Sequence, residues 1–142
     1  MNRKIPFYLI CLLFLNCKTN QTINGKREGG WITQFALDSI NNKGIYKTKE
    51  YYRRGVPIRT WKVYLDGKLT KKEKYRNDST SIVTEYYPNG KIMKSGGAKI
   101  QYSKKEIHWF YSGPWKYFDE KGKLFCIKHY ENGLESKIDS IR

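Results

Sequence analysis

Histidine and cysteine are scarce in this chain of 142 residues, and that scarcity limits its chemistry. The two histidines, His108 and His129, have no cysteine pair nearby, so the convergent ligands of a zinc site are lacking. Two of the three cysteines fall within the first 17 residues, which leaves Cys126 without a partner for an internal disulfide. Cys126 stands in an apolar run, where we expect a buried thiol. The sequence predicts no metal site and no cofactor.

Acidic residues are also few, with 13 Asp and Glu against 28 Lys and Arg, for a formal net charge of +15. This balance favours anionic partners such as phosphates, acidic glycans, lipid headgroups or an acidic protein. A solvated lysine-rich surface with no partner is an equally good interpretation. Mean hydropathy is low, at −0.76, so a core must come largely from the 12 Tyr, 6 Phe and 4 Trp, which suit half-buried sheet faces.

No apolar run is long enough to form a permanent membrane span. The longest, Ile5–Leu15, has about half of the roughly 20 residues that a spanning helix needs, and it follows a basic N-terminus as in a signal peptide. The run ends in Leu13-Phe14-Leu15-Asn16-Cys17, which resembles a lipobox, whose cysteine is acylated and becomes the new N-terminus. We predict a signal peptide over residues 1–16, a lipid on Cys17 and a polar tether over residues 17–24. The alternative is an incidental cysteine in an ordinary leader.

Glycines and large rings recur with a regular spacing in the rest of the chain. Gly44, Gly67, Gly90 and Gly122 each follow a polar turn, and the first three are 23 residues apart. Two positions after these glycines stand Tyr46, Leu69, Ile92 and Leu124, and eight positions after them stand Tyr52, Tyr75, Ala98 and Tyr130. Because both offsets are even, we expect the two columns to share one face of a sheet.

The segments between these glycines indicate hairpins. Asp66-Gly67, Asn89-Gly90 and Asn132-Gly133 are typical of tight turns in which both central residues take positive φ. Aromatic strands precede the turns, and the surplus residues around Tyr102–Ser112 favour an additional strand. We predict an all-β fold, a repeat-built antiparallel meander of hairpins over residues 25–133, followed by a loose tail over residues 134–142.

The repeated pattern resembles the MORN-repeat variants of YwqK-type bacterial proteins. It is carried by Thr60-Trp61-Lys62-Val63-Tyr64-Leu65-Asp66-Gly67-Lys68-Leu69 and by Gly113-Pro114-Trp115-Lys116-Tyr117-Phe118, followed by Gly122-Lys123-Leu124. The resemblance implies a run of β-hairpins without catalytic residues. Some relatives are described as antitoxins, and classical MORN repeats are associated with membrane attachment or protein scaffolding.

Motifs for catalysis are absent from the sequence. Ser112-Gly113-Pro114 lacks the context of a nucleophile elbow, Asp119-Glu120 falls in a turn, and Ser95-Gly96-Gly97 is not followed by a helix that could hold a phosphate. We expect no enzyme activity, and no nucleic-acid partner because the leader predicts export. A hydrolase of envelope polymers would need a cleft with two carboxylates.

Two functional hypotheses stand beside this hydrolase. The first is a lipoprotein of the cell envelope, at the outer membrane where the cell has one, which is held through Cys17 and binds a protein or an anionic envelope component. The second is an antitoxin or immunity protein that neutralises an effector. An adjacent reading frame for a toxin-like protein that copurifies would favour the second.

Overall fold

A computed structural model describes residues 18–41, 43–76, 79–103 and 106–141. The predicted signal peptide and Cys17 lie outside these residues. All the regular secondary structure in the described part is β-strand. In chain order the strands are β1 (Gln21–Ile23), β2 (Lys26–Asp38), β3 (Lys43–Arg53), β4 (Val56–Pro57), β5 (Thr60–Leu65), β6 (Lys68–Tyr75), β7 (Thr80–Tyr86), β8 (Ile92–Tyr102), β9 (Ile107–Phe118), β10 (Leu124–Glu131) and β11 (Leu134–Ser140).

The strands form one antiparallel sheet in which sequence neighbours are spatial neighbours. The order is β1-β2-β3-β5-β6-β7-β8-β9-β10-β11, and the two-residue β4 pairs with the end of β3. Within the described residues no second layer packs on this sheet. The predicted all-β meander of consecutive hairpins is confirmed.

Turn chemistry accounts for this succession of hairpins. Asp66 and Gly67 have φ of 49° and 76°, and Asn132 and Gly133 have φ of 50° and 84°, as a two-residue turn with both centres left-handed requires. The turn at Asn89-Gly90 differs from its prediction, because only Gly90 has positive φ. Asn89 instead uses its side-chain oxygen to accept a hydrogen bond from the backbone N–H of Lys91, at 2.9 Å.

Three hairpins contain a β-bulge at the same place. The register slips by one residue at Thr70, Met93 and Phe125, each three positions after its turn glycine. A single extra residue moves all later side chains of that strand to the other face. The prediction that both columns share a face is therefore wrong for these three units. It holds in β3, whose pairing has no bulge, so that Tyr46 and Tyr52 share a face.

Both ends of the sheet extend further than predicted. Part of the expected tether forms β1, because Asn24-Gly25 makes another turn with positive φ at both residues. The predicted loose tail is also wrong, since β11 pairs with β10 along its length. The surplus around Tyr102–Ser112 adds no separate strand, but lengthens the hairpin of β8 and β9.

Strand pairing assigns each side chain to one of two faces, because residues directly opposite each other share a face. The aromatic face bears Trp31, Tyr52, Trp61, Tyr75, Trp109, Tyr111, Trp115, Tyr117 and Tyr130. The lysine face bears Lys47, Lys49, Lys62, Lys72, Lys74, Lys99 and Lys116.

The most deeply buried residues lie on the aromatic face, in its C-terminal half. Val83 and Trp115 are 0% exposed and Ala98 is 1% exposed, with Tyr111 and Tyr130 packed against them. Of the residues predicted to share one face, Tyr130 and, further along, Tyr75 lie half-buried on the aromatic face. Leu69 and Leu124 precede their bulges and lie on the opposite face.

Candidate functional site

Two groups of rings cover the aromatic face. In the first, Trp61 lies between Tyr52 and Tyr75, with ring centroids 4.8 and 4.7 Å apart. In the second, Trp115 stacks on Tyr111 with centroids 3.7 Å apart, while Tyr130 meets both rings edge to face. Rings in such contact bury apolar area and gain about 0.5–1.5 kcal/mol per pair beyond that burial. In a sheet without a second layer, these rings take the place of a conventional core.

Glu73 lies between the two groups and is only 5% exposed. Its Oε1 accepts hydrogen bonds from the Ser81 hydroxyl at 2.7 Å and from the Trp109 indole N–H at 2.6 Å. The Lys71 ammonium lies 3.1 Å from its other oxygen. Burial, and then the Glu73 charge, raise the pKa of the Tyr75 hydroxyl. This carboxylate is occupied by its structural partners, and we assign it no catalytic role.

Other cations on the aromatic face also have acidic partners. The Lys94 ammonium is 3.2 Å from Glu85, and the Arg27 guanidinium is 3.4 Å from Glu50. Glu50 additionally accepts a hydrogen bond from the Tyr52 hydroxyl at 2.8 Å. Burial and this carboxylate together raise the pKa of Tyr52 to about 12. Charge on the aromatic face is thus largely neutralised within the protein.

The lysine face has the opposite arrangement. Among the described residues, none of these seven lysines forms an ion pair, whereas Lys137, on the same face in the edge strand β11, pairs with Asp139 at 2.7 Å. Lys62 lies directly opposite Lys49 on one side and Lys72 on the other, so three ammonium groups follow each other across adjacent strands. Adjacent strands are about 4.8 Å apart, and like charges directly opposite each other destabilise a sheet. The fold keeps this repulsion although acids are available on the other face.

Rings and shallow depressions accompany these lysines. The Lys49 ammonium lies 5.7 Å from the centre of the Tyr64 ring, and the Lys72 ammonium lies 5.4 Å from that of Tyr86. A depression of about 590 Å³ is lined by Lys62, Lys72, Lys74 and Arg76, with Thr60, Ile82 and Thr84. A second, of about 360 Å³, is lined by Lys47, Lys49 and Tyr64 among others. These surfaces combine positive charge with hydroxyl and ring contacts.

The residues considered for metal binding do not come together. His108 lies beside Glu106 at 2.9 Å, and His129 lies beside Asp139 at 2.9 Å, each as an isolated pair. The described part of the chain contains no group of three or more His, Cys, Asp or Glu arranged to hold a metal ion. Cys126 is buried and unbonded to another cysteine, in agreement with the sequence analysis. Its neighbours in the sheet are Tyr117 and Ser140.

The motifs considered for catalysis lie in a turn and within two strands. Asp119 accepts hydrogen bonds from the backbone N–H groups of Lys123, at 2.8 Å, and Lys121, at 2.9 Å, and these bonds lower its pKa. Ser112-Gly113-Pro114 forms the irregular part of β9, where two additional residues bulge out of register with β8. Ser95-Gly96-Gly97 lies within β8. The part of the chain that the structure describes offers no helix that could span a membrane.

Gly96 has a specific role in this arrangement. It lies opposite Trp115, whose indole ring lies across it, and a Cβ built on Gly96 would be less than 3.0 Å from three ring atoms. The Trp115 N–H donates to the carbonyl of Gly97 at 2.8 Å. A glycine facing a tryptophan on the next strand is therefore a condition for this packing.

Comparison with known families matches two segments of this hairpin sheet. The model of the MORN repeat variant matches residues 80–96, from β7 to Gly96, and residues 111–132, from Tyr111 to the final turn. The chain carries MORN repeats. The predicted resemblance to MORN repeats is confirmed over these residues, whereas Thr60–Leu69, which also carried it, lies outside them. MORN repeats suggest a repeat-based binding module. No curated protein and no solved structure matches the chain.

Sequence reasoning missed the lysine face. The signal was present as lysines two residues apart, Lys47 with Lys49 and Lys72 with Lys74, which a strand places on one face. The pairing of Lys62 with two of them depends on register, however, and the register includes the bulge at Thr70.

Proposed function

We propose that this protein is a non-catalytic binding module, held to a membrane of the cell envelope through a lipid on Cys17, that binds an anionic partner with its lysine face. One observation carries the binding part of the proposal, namely the ladder of Lys49, Lys62 and Lys72 with no acidic partner among the described residues. A bound anionic chain would relieve the repulsion between these lysines. Burying an anion there would also release counterions.

The distribution of charge distinguishes this proposal from a merely soluble surface. Solubility alone does not explain why cations are paired with acids on the aromatic face, while the lysines at the centre of the other face are unpaired. The aromatic face pairs Lys71, Lys94 and Arg27 with acids at 3.1–3.4 Å. The lysine face is also nearly free of acids at its centre, where Thr84 and Ser95 continue the row of Lys72 towards Lys116. Hydroxyl groups between cations suit phosphate, sulfate or carboxylate oxygens.

The binding test compares two triple variants with the same change in net charge. Replacing Lys49, Lys62 and Lys72 with Ser removes the ladder, whereas replacing Lys18, Lys121 and Lys123 with Ser removes three exposed lysines elsewhere. Heparin and poly-glutamate serve as sulfate and carboxylate probes, with affinity measured over a range of salt concentrations. We expect the ladder variant to bind roughly tenfold more weakly or worse, with a smaller salt dependence, and the control to stay within about threefold. Equal losses in the two variants would show that net charge alone determines binding.

The anchor has a separate test. Cys17→Ser prevents acylation, and we expect the variant to move from the membrane fraction to the soluble fraction with its β-sheet circular dichroism unchanged. Cys126→Ser is the control, because this cysteine lies within β10 and offers no exposed thiol. If Cys17→Ser remains in the membrane fraction, the lipid anchor is wrong.

A further inference from the structure

The outer edge of β2 is open over about half of its length. β1 pairs only with Lys26–Glu28, so it covers the beginning of the thirteen-residue strand. Asn20 covers the next part: its backbone N–H donates to the Gly30 carbonyl at 2.9 Å, and its side chain bonds both the N–H and the carbonyl of Ile32. Beyond Ile32, no described residue pairs with this edge.

The bonds made by Asn20 identify the backbone groups that point outwards. Gly30 and Ile32 are even-numbered, and alternate residues of a strand direct their N–H and C=O to the same side. Gln34 and Ala36 therefore direct their N–H and C=O groups away from β3, to the open edge. Four backbone groups in this short stretch are available for another strand, and an unpaired row of this kind is a template for strand addition.

The side chains along this edge are unusual for the protein. Gly29–Leu37 is a run of nine residues without a charge, in a chain in which 29% of residues are charged. Phe35 and Leu37 are 48% and 63% exposed on the aromatic face, and Leu65 nearby is 37% exposed. The Phe35 ring also contacts Tyr46, with centroids 5.0 Å apart. Natural proteins protect open edges with charges or proline, and Gly29–Leu37 has neither.

We infer that two copies of the chain pair antiparallel through Thr33–Asp38 of β2. A second copy fits because an antiparallel strand pair has two-fold symmetry, so one segment, uncharged from Thr33 to Leu37, supplies both sides of the contact. This part of the surface allows two strongly basic copies to approach without opposing lysines. A two-fold axis at Phe35 or Ala36 directs the open groups of Gln34 and Ala36 to the same segment of the other copy.

Such a dimer continues the sheet without turning it over. Residues opposite each other across a strand pair share a face, so Phe35 and Leu37 of both copies would meet on the aromatic face. The two lysine faces would then lie side by side on the other surface. This inference does not depend on the proposed function, because it rests on backbone groups and apolar side chains away from the lysine ladder.

The test is disulfide trapping in the full chain, with Cys11 and Cys17 replaced by Ser so that the introduced cysteine is the exposed one. Phe35→Cys and Ala36→Cys are made singly, since opposed residues of an antiparallel pair have Cα separations of about 4.5–5.5 Å, within the range of a disulfide. Ile138→Cys, on the opposite edge strand, is the matched control, being 50% exposed. After mild oxidation we expect at least tenfold more covalent dimer from Phe35→Cys or Ala36→Cys than from Ile138→Cys.

A second variant separates strand pairing from chance collision. Gln34→Pro removes an outward N–H but no bond to β3, so an edge strand tolerates it. We expect it to reduce trapping of Phe35→Cys and Ala36→Cys at least tenfold, with circular dichroism unchanged. Equal trapping of all three cysteine variants, or trapping unaffected by Gln34→Pro, overturns the inference. In cells, a disulfide to a different protein in place of the dimer would also overturn the choice of a second copy.

Discussion

The contact between Gly96 and Trp115 gives the sharpest prediction for stability. Replacing Gly96 with Ala adds one methyl group in a place where a Cβ would approach three indole atoms to less than 3.0 Å. The ring cannot simply move aside, because it is fully buried, stacks on Tyr111 and donates a hydrogen bond to the Gly97 carbonyl. The substitution therefore forces either the ring or the β8 backbone out of position.

The size of the effect follows from these contacts. Overpacking a well-packed site costs about 1–3 kcal/mol, and losing the indole hydrogen bond adds about 1 kcal/mol. The smaller conformational entropy of alanine in the unfolded chain offsets about 0.4–1 kcal/mol. We expect Gly96→Ala to lower the free energy of unfolding by about 1–3.5 kcal/mol, measured by urea unfolding with tryptophan fluorescence and circular dichroism.

Gly30 provides a matched control. It also lies in a strand opposite an aromatic residue, but a Cβ there would be 3.6 Å from the nearest Tyr51 ring atom, an ordinary contact. Gly30→Ala should change the free energy of unfolding by less than about 1 kcal/mol. In a Trp115→Leu background, the cost of Gly96→Ala should fall by more than about 1 kcal/mol. Equal costs at both glycines, or additive effects with Trp115→Leu, would refute the assignment of the ring as the cause.

Three further predictions concern charged residues. Lys62→Glu should raise the free energy of unfolding by about 1 kcal/mol in urea unfolding, because it replaces two like-charge pairs with opposite-charge pairs. It should also weaken heparin binding. The control Lys123→Glu should have a smaller effect on both stability and heparin binding. Glu73→Gln should destabilise the protein by about 2 kcal/mol, since Lys71 loses its buried partner, and Glu85→Gln, at a more exposed pair, should cost less than about 1 kcal/mol. The pKa of Asp119 is lowered from 3.8, so its contribution to stability is present at neutral pH and is lost as the pH falls through the folded-state pKa. Asp119→Ala should therefore be less stable than the natural protein at pH 7, and this difference in stability should disappear in acid. Asp119→Asn keeps a hydrogen-bond acceptor, as Asn89 does in its own turn, so its stability should not include the contribution that the natural protein loses in acid.

The fold could be predicted from the sequence where local chemistry determines it. Asp66-Gly67 and Asn132-Gly133 adopt the left-handed turns that their residue types favour, so the hairpins and their order follow from the sequence. The same rule applied to Asn24-Gly25 would have identified β1. The prediction of a loose tail in place of β11 did not apply the turn rule at Asn132-Gly133, after which Glu135 and Asp139 pair with Lys128 and His129 of β10.

The assignment of side chains to faces could not be predicted in the same way. A sequence period reports the distance from one turn to the next, but it does not report a bulge within the strand. The extra residue at Thr70 places Leu69 and Tyr75 on opposite faces, and the extra residue at Phe125 does the same for Leu124 and Tyr130. Long-range partners such as Trp109 and Glu73, 36 residues apart, are equally invisible to local patterns.

The separation of charge between the two faces of the sheet also connects the lysine face with the open edge of β2. One face must bury its rings without a covering layer, so its cations are neutralised by Glu50, Glu73 and Glu85, and the lysines of the other face remain available to a partner. Pairing through β2 would double that lysine face on one side of the dimer. If both surfaces act together, an anionic polymer long enough to span both copies should bind more tightly than a short fragment by a factor exceeding the ratio of their charges, because the second contact becomes intramolecular. Gln34→Pro should abolish this length dependence while leaving the affinity for the short fragment unchanged.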